Sequence, residues 1–569
     1  MAEPLFRRRE VPAAAASRLL GAGLDPVLAR VLAARGIDSP AELGLDLAAL
    51  HPPSALLGAD RAAVLLADAI GSGAKLCVIG DYDCDGATAS AVAVRGLRMM
   101  GAVVDYLVPN RFEHGYGLSP AIVDLAIKHP RLGRPDWLIT VDNGITSAAG
   151  VAHANAAGLR VIVTDHHLPG EQLPPAAAIV NPNQPGCQFP SKNLCGAGVM
   201  FYTLLALRAE LRARNTFPGA EPALGELLDL VALGTVADVV RLDRNNRLLV
   251  AAGLRRIRSG RANAGIRALL RVAGRDEYRT GSTDLGFTLG PRINAAGRLQ
   301  DISLGIECLL SDDPDSAARL AAELDGINRQ RRGIEQAMRE QALDEIGDFD
   351  PARLCAVAYR PDWHEGLVGL VAGRLKERLH RPTVALAPAS AEPTMLRGSG
   401  RSIPGVHLRD VLERVNSIAP GILVRFGGHA MAAGLTIHAA DRERFEQVLE
   451  EAVTEMADRA AFERELLTDG SLVDANVDLT LADTLAEQIW GQGFPEPLFC
   501  DRVEVLGQRV VGGAHLKLDL RFAGKRVDAI AFQRVDPLPE YAEIAYRIGR
   551  NEYQGRATIQ WLVEAVGTS

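Results

Sequence analysis

Nowhere in the 569 residues do 18 apolar residues run without interruption, so no transmembrane helix is indicated. The basic N-terminus (Arg7-Arg8-Arg9) is followed by an alanine stretch, Val11 to Ala16, broken by Pro12 and ended by Ser17. That is too weak for the apolar region of a signal peptide. Cysteine is scarce and irregular: seven residues with no CxxC pair. This argues against a zinc knuckle and a disulfide framework and for a reducing cytoplasm. Net positive charge is missing too. The formal net charge is −8 and the sequence pI about 5.9, which excludes a general basic coat on nucleic acid. A nucleic-acid substrate would have to be gripped locally, by arginines around a groove. Arginine does dominate lysine, and it suits bidentate phosphate contacts.

What the chain has instead is a concentration of carboxylates. Ile79-Gly80-Asp81-Tyr82-Asp83-Cys84-Asp85-Gly86 places three aspartates at alternate positions after an apolar run and before a small-residue helix. Charge that dense needs a counter-charge, and a divalent cation is the natural one. Cys84, inside the run, reads as a small apolar filler facing inward.

Between 60 and 182, short apolar, mostly β-branched runs at Leu76–Ile79, Val103–Val108, Trp137–Val141, Leu159–Val163 and Ala177–Val180 are separated mostly by alanine-rich segments of helical length. The alternation predicts a parallel sheet with crossover helices. Polar clusters follow closely on the strands: the aspartate triplet, Asn110-Arg111, Asp142-Asn143-Gly144, and Asp165-His166-His167. Open α/β sheets bind ligands beyond the carboxyl ends of their strands, and four clusters at one edge weigh more than any one alone. Asp238 then interrupts an apolar run in Gly234-Thr235-Val236-Ala237-Asp238-Val239-Val240. It reads either as a helix cap or as a ligand, and the ligand reading is favoured because carboxylates rarely sit amid apolar residues unless paired or ligating. The tandem histidines likewise read as a capped turn or as ligands, and the acidic strand ends favour the second.

Further on, Arg292 and Arg298 bracket small residues and Asn294 in PRINAAGR, where a ligand backbone would approach closely. Asp313-Pro314 is a helix start, and apolar spacing predicts one amphipathic helix of roughly 30 residues bridging two domains. A second α/β unit occupies 352–438, and its glycine-rich stretches, with Ser399, Arg401 and His429, read as loops that cradle phosphate. An acidic helix over 440–465 follows. After 466 the texture becomes β, with runs at Val503–Leu506, Arg509–Val511, Leu516–Phe522, Arg526–Phe532, Ala545–Gly549 and Ala557–Val563. These suggest a small barrel of the OB type. Lys517, Arg521, Lys525, Arg526 and Arg547 with Phe522, Phe532, Tyr553 and Trp561 read either as a strand-binding face or, for the aromatics, as core.

Asp81, Asp83, Asp85, Asp142, Asp165, His166, His167 and Asp238 form a donor set for two ions, Mg2+ or Mn2+, the imidazole favouring manganese. Two ions about 3.5–4 Å apart would serve an in-line displacement at phosphorus. Arg111, Ser399, Arg401 and His429 would hold a terminal or flanking phosphate. The chemistry is metal-dependent phosphoester hydrolysis.

The ordered motifs DYDCDG, VDNG, TDHH and GTVAD resemble the DHH phosphoesterase superfamily. PRINAAGR, WHEGLVGLVAGRL, GSGRS and GGHAMAAG, with PEPLF, HLKLDL and NEYQG near the end, are similar to the RecJ family within it, over nearly the whole chain. The resemblance implies an α/β multidomain fold: an N-terminal helical segment (1–50), a parallel-sheet DHH domain (51–310), a long connecting helix (311–348), a DHHA1 α/β domain (349–465) and an OB-fold barrel (466–569). It implies 5′→3′ removal of mononucleotides from single-stranded DNA in repair and recombination, beside a helicase and a single-strand binding protein, by a cytoplasmic monomer. It also implies that Asp83, Asp85, Asp142, His166 and Asp238 are metal ligands joined by Asp81, that His167 is a ligand or supports one, and that Arg111, Ser399 and Arg401 lie near the 5′ phosphate. One departure is Trp490-Gly491-Gln492-Gly493-Phe494-Pro495, where the resemblance implies a Phe-Gly-rich loop with Asn before the Pro. The competing expectations are a DHH enzyme for short oligonucleotides or cyclic dinucleotides, against which the chain length and the terminal barrel count, and a non-catalytic DNA-binding scaffold, which should have lost carboxylates that this chain keeps.

Overall fold

The computed structural model describes residues 4–108, 117–217, 219–347, 349–390, 392–553 and 555–567. Asn110 and Arg111 lie outside them, as does the side chain of Tyr553. Within the 1–50 segment, read as helical, a strand comes before the helices: β1 (Leu5–Arg8) precedes Ala13–Gly21 and Pro26–Ala33.

The five apolar runs that follow are the strands β2 (Lys75–Ile79), β3 (Val103–Leu107), β4 (Trp137–Val141), β5 (Arg160–Thr164) and β6 (Ala178–Val180). They pair in parallel in the order β3-β2-β4-β5-β6. The period of two feeds two cores. Leu76, Val78, Ile139 and Ile162 join the large cluster on one face, whereas Cys77, Ile79, Leu138 and Val161 pack on the other against Leu118, Ile122 and Val151. Burial on both faces is why these strands read as unbroken apolar runs. The strand order reverses between β2 and β4, so the carboxyl ends of these two strands open onto a crevice.

Asp313 accepts a hydrogen bond from Ser316 N at 2.9 Å and caps the helix Pro314–Ile346. Its first half buries Ala317, Ala321, Leu324 and Ile327 in the core of the first domain; Met338 and Ala342 join a separate cluster under the second sheet. One helix therefore belongs to both domains, as its spacing predicted. The second sheet has the strands β7 (Ala356–Tyr359), β8 (Thr383–Pro388), β9 (Met395–Arg401), β10 (Arg425–Gly428) and β11 (Ala432–His438), in the order β10-β11-β9-β8-β7. The stretch read as a glycine-rich loop, Arg397-Gly398-Ser399-Gly400-Arg401, is strand β9. A Cβ on Gly398 would lie 2.6 Å from Leu386 Cδ2, and one on Gly400 would lie 2.7 Å from Leu408 Cδ2. These glycines make room for packing on one face of the strand and leave Ser399 and Arg401 on the other.

β12 (Glu465–Thr468) pairs in parallel with β1, Leu5 opposite Glu465. The last region closes into a barrel of β13 (Phe499–Val511), β14 (His515–Phe522), β15 (Lys525–Ala531), β16 (Tyr541–Tyr553) and β17 (Arg556–Val566), ordered β13-β14-β15-β17-β16. The two runs read as separate strands over 503–511 are one strand, its register against β14 shifting between Val505 and Gly507. Trp561 stacks on Tyr546 with ring centroids 3.6 Å apart and meets Phe522 edge-on, so Trp561 and Phe522 are core. Arg521 pairs with Glu504, Arg526 with Asp519, Lys517 with Asp528 and Arg547 with Glu496, which neutralises much of the basic face the sequence offered. Phe532 alone of these three described aromatics is exposed, at 57%. No helix among the described residues is long and apolar enough to cross a membrane.

Candidate metal centre

The carboxylates gather where the strand order reverses. Asp81 and Asp83 follow β2, and Asp83 caps the helix Cys84–Met99 by accepting from Gly86 N at 2.9 Å. That cap turns the next residues inward, and Asp85 is 1% exposed. The helix Gly196–Ala213 aims its first turn at Asp85: Gly196 N and Ala197 N donate to its two oxygens at 2.5 and 3.0 Å. Glycine is required at that approach, because a Cβ on Gly196 would lie 2.4 Å from Asp142 Cβ. Cys84 is buried, the filler its sequence position indicated.

Asp142 follows β4 with φ of 62°, a left-handed conformation that aspartate tolerates better than most residues. Asp238 ends the helix Leu228–Ala237, and the residue after it, Val239, has φ of 61°. A β-branched residue in that region is a true outlier, held only where its surroundings over-determine it. Asp238 is thus both a helix-end residue and a member of the site. His166, after β5, places Nε2 3.1 Å from Asp142 Oδ1 and 3.5 Å from Asp238 Oδ2. Ligand atoms of Asp142, His166 and His167 lie within 4.8 Å of one another, and so do those of Asp85, His166 and Asp238. His166 stands in both groups, so the two groups adjoin at its imidazole.

Electrostatics make this arrangement hard to hold without a cation. Burial first, and then the charges of Asp85 and Asp83, push the Asp142 and Asp238 carboxyls well above the usual range. Burial and the Asp83 charge raise Asp85 to about 6 against the pull of its backbone donors. Burial lowers His166 to about 4, so its imidazole is neutral and able to ligate. His166 Nε2 and Asp238 Oδ2 are buried with no hydrogen-bond partner among the described residues. Crowded buried carboxylates, a neutral imidazole and unbonded donor atoms fit divalent cations of the Mg2+ or Mn2+ class.

Asp165 takes another part. Its Oδ1 accepts from His166 N, His167 N and His167 Nδ1 at 2.7, 3.1 and 2.7 Å, and its Oδ2 accepts from Ile145 N at 2.8 Å. Asp165 lies outside both ligand groups, and its bond to Nδ1 orients His167. Against the effect of burial, that bond holds His167 above its ordinary value. Sequence reasoning missed Asn181 and Asn183 after β6, whose amides donate to His167 O and His166 O at 2.9 and 2.6 Å. Their signal was present: they are one more polar cluster at the carboxyl end of a strand.

The PRINAAGR segment is a helix, Gly290–Leu299, and the backbone approaching it belongs to the chain itself. Asn294 Oδ1 accepts from Cys84 N at 2.7 Å, and a Cβ on Gly297 would lie 2.0 Å from Tyr82 O. The helix thereby braces the loop carrying Asp81, Asp83 and Asp85. Arg292 is buried and bonded to Asp325 (3.0 Å) and Thr288 O (2.6 Å), and Arg298 donates to Gly366 O at 3.4 Å. These two arginines tie elements together. Ser399 and Arg401 do converge on one spot: Arg401 Nη1 donates to Ser399 Oγ at 2.9 Å, beside the first turn of the helix Val368–Leu379. A Cβ on Gly369 would lie 2.9 Å from Ser399 Oγ and 3.0 Å from Arg401 Nη2. A hydroxyl, a guanidinium and a helix N-terminus make an anion cradle. It opens on a cavity of about 560 Å³ lined also by Arg331, Arg332, Arg374 and Phe287. His429 is exposed at the turn between β10 and β11 and belongs to neither group.

Comparison with known proteins agrees with this architecture. The sequence matches the DHH family N-terminal domain over residues 75–235, the DHHA1 domain over 353–457 and the RecJ OB domain over 468–565. It is 47% identical to the single-stranded-DNA-specific exonuclease RecJ of Escherichia coli strain K12 and 46% identical to that of Salmonella typhimurium. Each match covers 99% of this chain and 98% of the relative. The crystal structure of RecJ in complex with Mn2+ from Thermus thermophilus superposes with a TM-score of 0.82 at 30% identity, covering 100% of this chain and 80% of that one. A carboxylate–histidine centre at a parallel-sheet edge, a second α/β domain on a shared helix and a five-stranded terminal barrel are thus accounted for together, and the chain belongs to the RecJ family of single-stranded-DNA-specific exonucleases.

Proposed function

We propose that the protein is a metal-dependent exodeoxyribonuclease that degrades single-stranded DNA from the 5′ end to mononucleotides. The observation that carries the reading is His166 Nε2, 3.1 Å from Asp142 Oδ1 and 3.5 Å from Asp238 Oδ2, in a buried cluster of carboxylates. Asp81, Asp83, Asp85, Asp142, His166 and Asp238, with His167, would hold two Mg2+ or Mn2+ ions. When bound there, the ions supply an activated water and stabilise the leaving oxygen of an in-line displacement. The chain's own residues do the positioning. The helix beginning at Gly196 fixes Asp85. Asp165 holds the His167 ring by its Nδ1. Ser399 and Arg401, with Arg111, would clamp the terminal phosphate. A clamp on the strand end fixes which phosphodiester reaches the metal group, which makes product length constant.

The working unit in this reading is residues 51–310 as catalytic domain, 311–348 as connecting helix, 349–465 as DHHA1 domain and 466–569 as OB domain. The protein acts as a cytoplasmic monomer beside a helicase and a single-strand binding protein, in repair and recombination. The test is release of mononucleotides from a single strand labelled at either end, in Mg2+ and in Mn2+. Asp142→Ala should abolish release while the protein stays folded, and the 5′ label should appear first as mononucleotide. Full activity of Asp142→Ala, or release of the 3′ label first, refutes the assignment.

A further inference from the structure

The departure at Trp490–Pro495 lies far along the chain from the metal centre, yet it folds onto the segments that flank Asp238. Gly491 and Phe494 bridge to each other, Trp490 stacks on Phe494 with ring centroids 5.4 Å apart, and both aromatics are buried. The loop uses two carbonyls outward. Gln492 O accepts from Leu242 N at 2.7 Å, and Trp490 O accepts from Ser282 Oγ at 2.8 Å. Leu242 lies four residues after Asp238. Ser282 begins the segment running to Gly290, where a Cβ on Gly286 would lie 3.0 Å from Val236 Cγ1 and one on Gly290 would lie 3.1 Å from Ala237 Cβ. The loop therefore holds the chain after Asp238 directly and the layer under Val236 and Ala237 through Ser282.

Arginines complete the grip. The Arg247 guanidinium lies 4.3 Å from the Phe494 ring centroid and that of Arg35 5.3 Å from Trp490, and Arg35 Nε donates to Pro495 O at 2.6 Å. From the catalytic side, Asn246 Nδ2 donates to Arg241 O at 2.9 Å and to Asn193 O at 2.6 Å. Between Asp238 and this doubly held segment stands Val239, in a left-handed conformation that a β-branched residue adopts only under constraint. Strain of that kind persists only when both sides are fixed, and the 490–494 loop supplies much of the fixing on the C-terminal side.

We infer that the loop Trp490–Phe494, which leads into the OB barrel, is a positioning element for the metal centre, setting Asp238 through the segment Arg241–Arg247. This rests on the metal-centre reading above and makes the centre's cation affinity depend on a domain that contributes no ligand. The probe is a matched pair of glycines with positive φ. A Cβ on Gly493 (φ +71°) would lie 2.5 Å from Arg241 Cγ, whereas one on Gly513 (φ +69°), in a barrel turn, meets nothing within 4 Å. Gly493→Ala and Gly513→Ala thus carry the same backbone cost, and only the first also presses on the Arg241 side chain in the segment after Asp238. Mn2+ binding to the full chain is read by electron paramagnetic resonance and calorimetry without DNA. Gly493→Ala should weaken it about tenfold, in the range seen when supports of metal ligands are removed. Gly513→Ala should match the wild type. In turnover assays, raising Mn2+ should restore most of the activity of Gly493→Ala, which a generally misfolded protein would not show. Equal Mn2+ affinity in the two variants, with the wild type binding normally, overturns the inference. Absence of Mn2+ binding by the wild type refutes the metal-centre reading and, with it, this one.

Discussion

Gly196→Ala puts the geometry of the centre to its most direct test. By local propensity the change should help, because alanine in place of glycine within a helix is worth about 1 kcal/mol. The structure predicts the reverse. The new Cβ would lie 2.4 Å from Asp142 Cβ and 2.8 Å from Asp142 Cα, where ordinary contact starts at 3.4 Å, so helix and strand end must part by about 1 Å. Overpacking of this kind costs about 1–3 kcal/mol. The larger effect falls on catalysis, since the same movement withdraws the Gly196 N–H from Asp85 and shifts Asp142. A misplacement of about 1 Å costs on the order of a hundredfold in rate, or about 2.7 kcal/mol. Gly198→Ala is the control on the same helix, since its Cβ would come only to 3.3 Å from Leu194 Cδ2. The assay is kcat/KM for mononucleotide release from a single strand at saturating Mn2+, beside thermal unfolding of each variant. Gly196→Ala should lose about a hundredfold, Gly198→Ala no more than a few-fold. A folded Gly196→Ala protein with wild-type kcat/KM would refute the reasoning.

Asp142→Asn removes one charge from a crowded buried group, so in EDTA its first unfolding transition should rise above that of the wild type. Added Mn2+ at a hundred times its Kd should stabilise the wild type by about 2.7 kcal/mol and the variant by less; equal shifts would refute the placement of Asp142. Arg401→Ala should lower kcat/KM roughly tenfold to a hundredfold on 5′-phosphorylated strands and far less on 5′-hydroxyl strands, and equal losses on both would take the phosphate away from Ser399 and Arg401. Asp469→Ala leaves the buried Arg35 guanidinium without its 2.7 Å partner, and should cost about 3–5 kcal/mol in urea unfolding while freeing β1 and β12 to limited proteolysis.

Much of the site was legible because it obeys one rule. A strand buried on both faces shows as an apolar run, and whatever polar residues follow it stand at the ligand edge of the sheet. That rule located Asp81–Asp85, Asp142 and His166, and the amphipathic spacing of 314–346 located the helix joining the domains. What stayed hidden depends on partners distant in sequence. Gly398 and Gly400 looked like a loop because the sequence cannot show that Leu386 and Leu408 press on that face of a strand. Arg292 and Asn294 looked like ligand contacts because their partners, Asp325 and Cys84 N, are visible only in the fold. Asp165 and Asp85 both accept from the chain on both oxygens, and what sets Asp165 apart, its bond to His167 Nδ1 and its place outside the ligand groups, is visible only in the fold. The left-handed turn at Val239 has no sequence signal, since valine is among the residues least suited to it.

The pairing of β1 with β12 sets a schedule for the chain. Leu5 meets Glu465, so the first strand waits for 460 further residues before its partner exists. At about 5–20 residues per second of synthesis that is roughly 20–90 s. During that interval the catalytic domain and its aspartate cluster can already be folded while the N-terminal segment and the loop before the barrel have yet to dock. The N-terminal strand therefore docks only after the second α/β domain has been made, long after the strands that carry the aspartates.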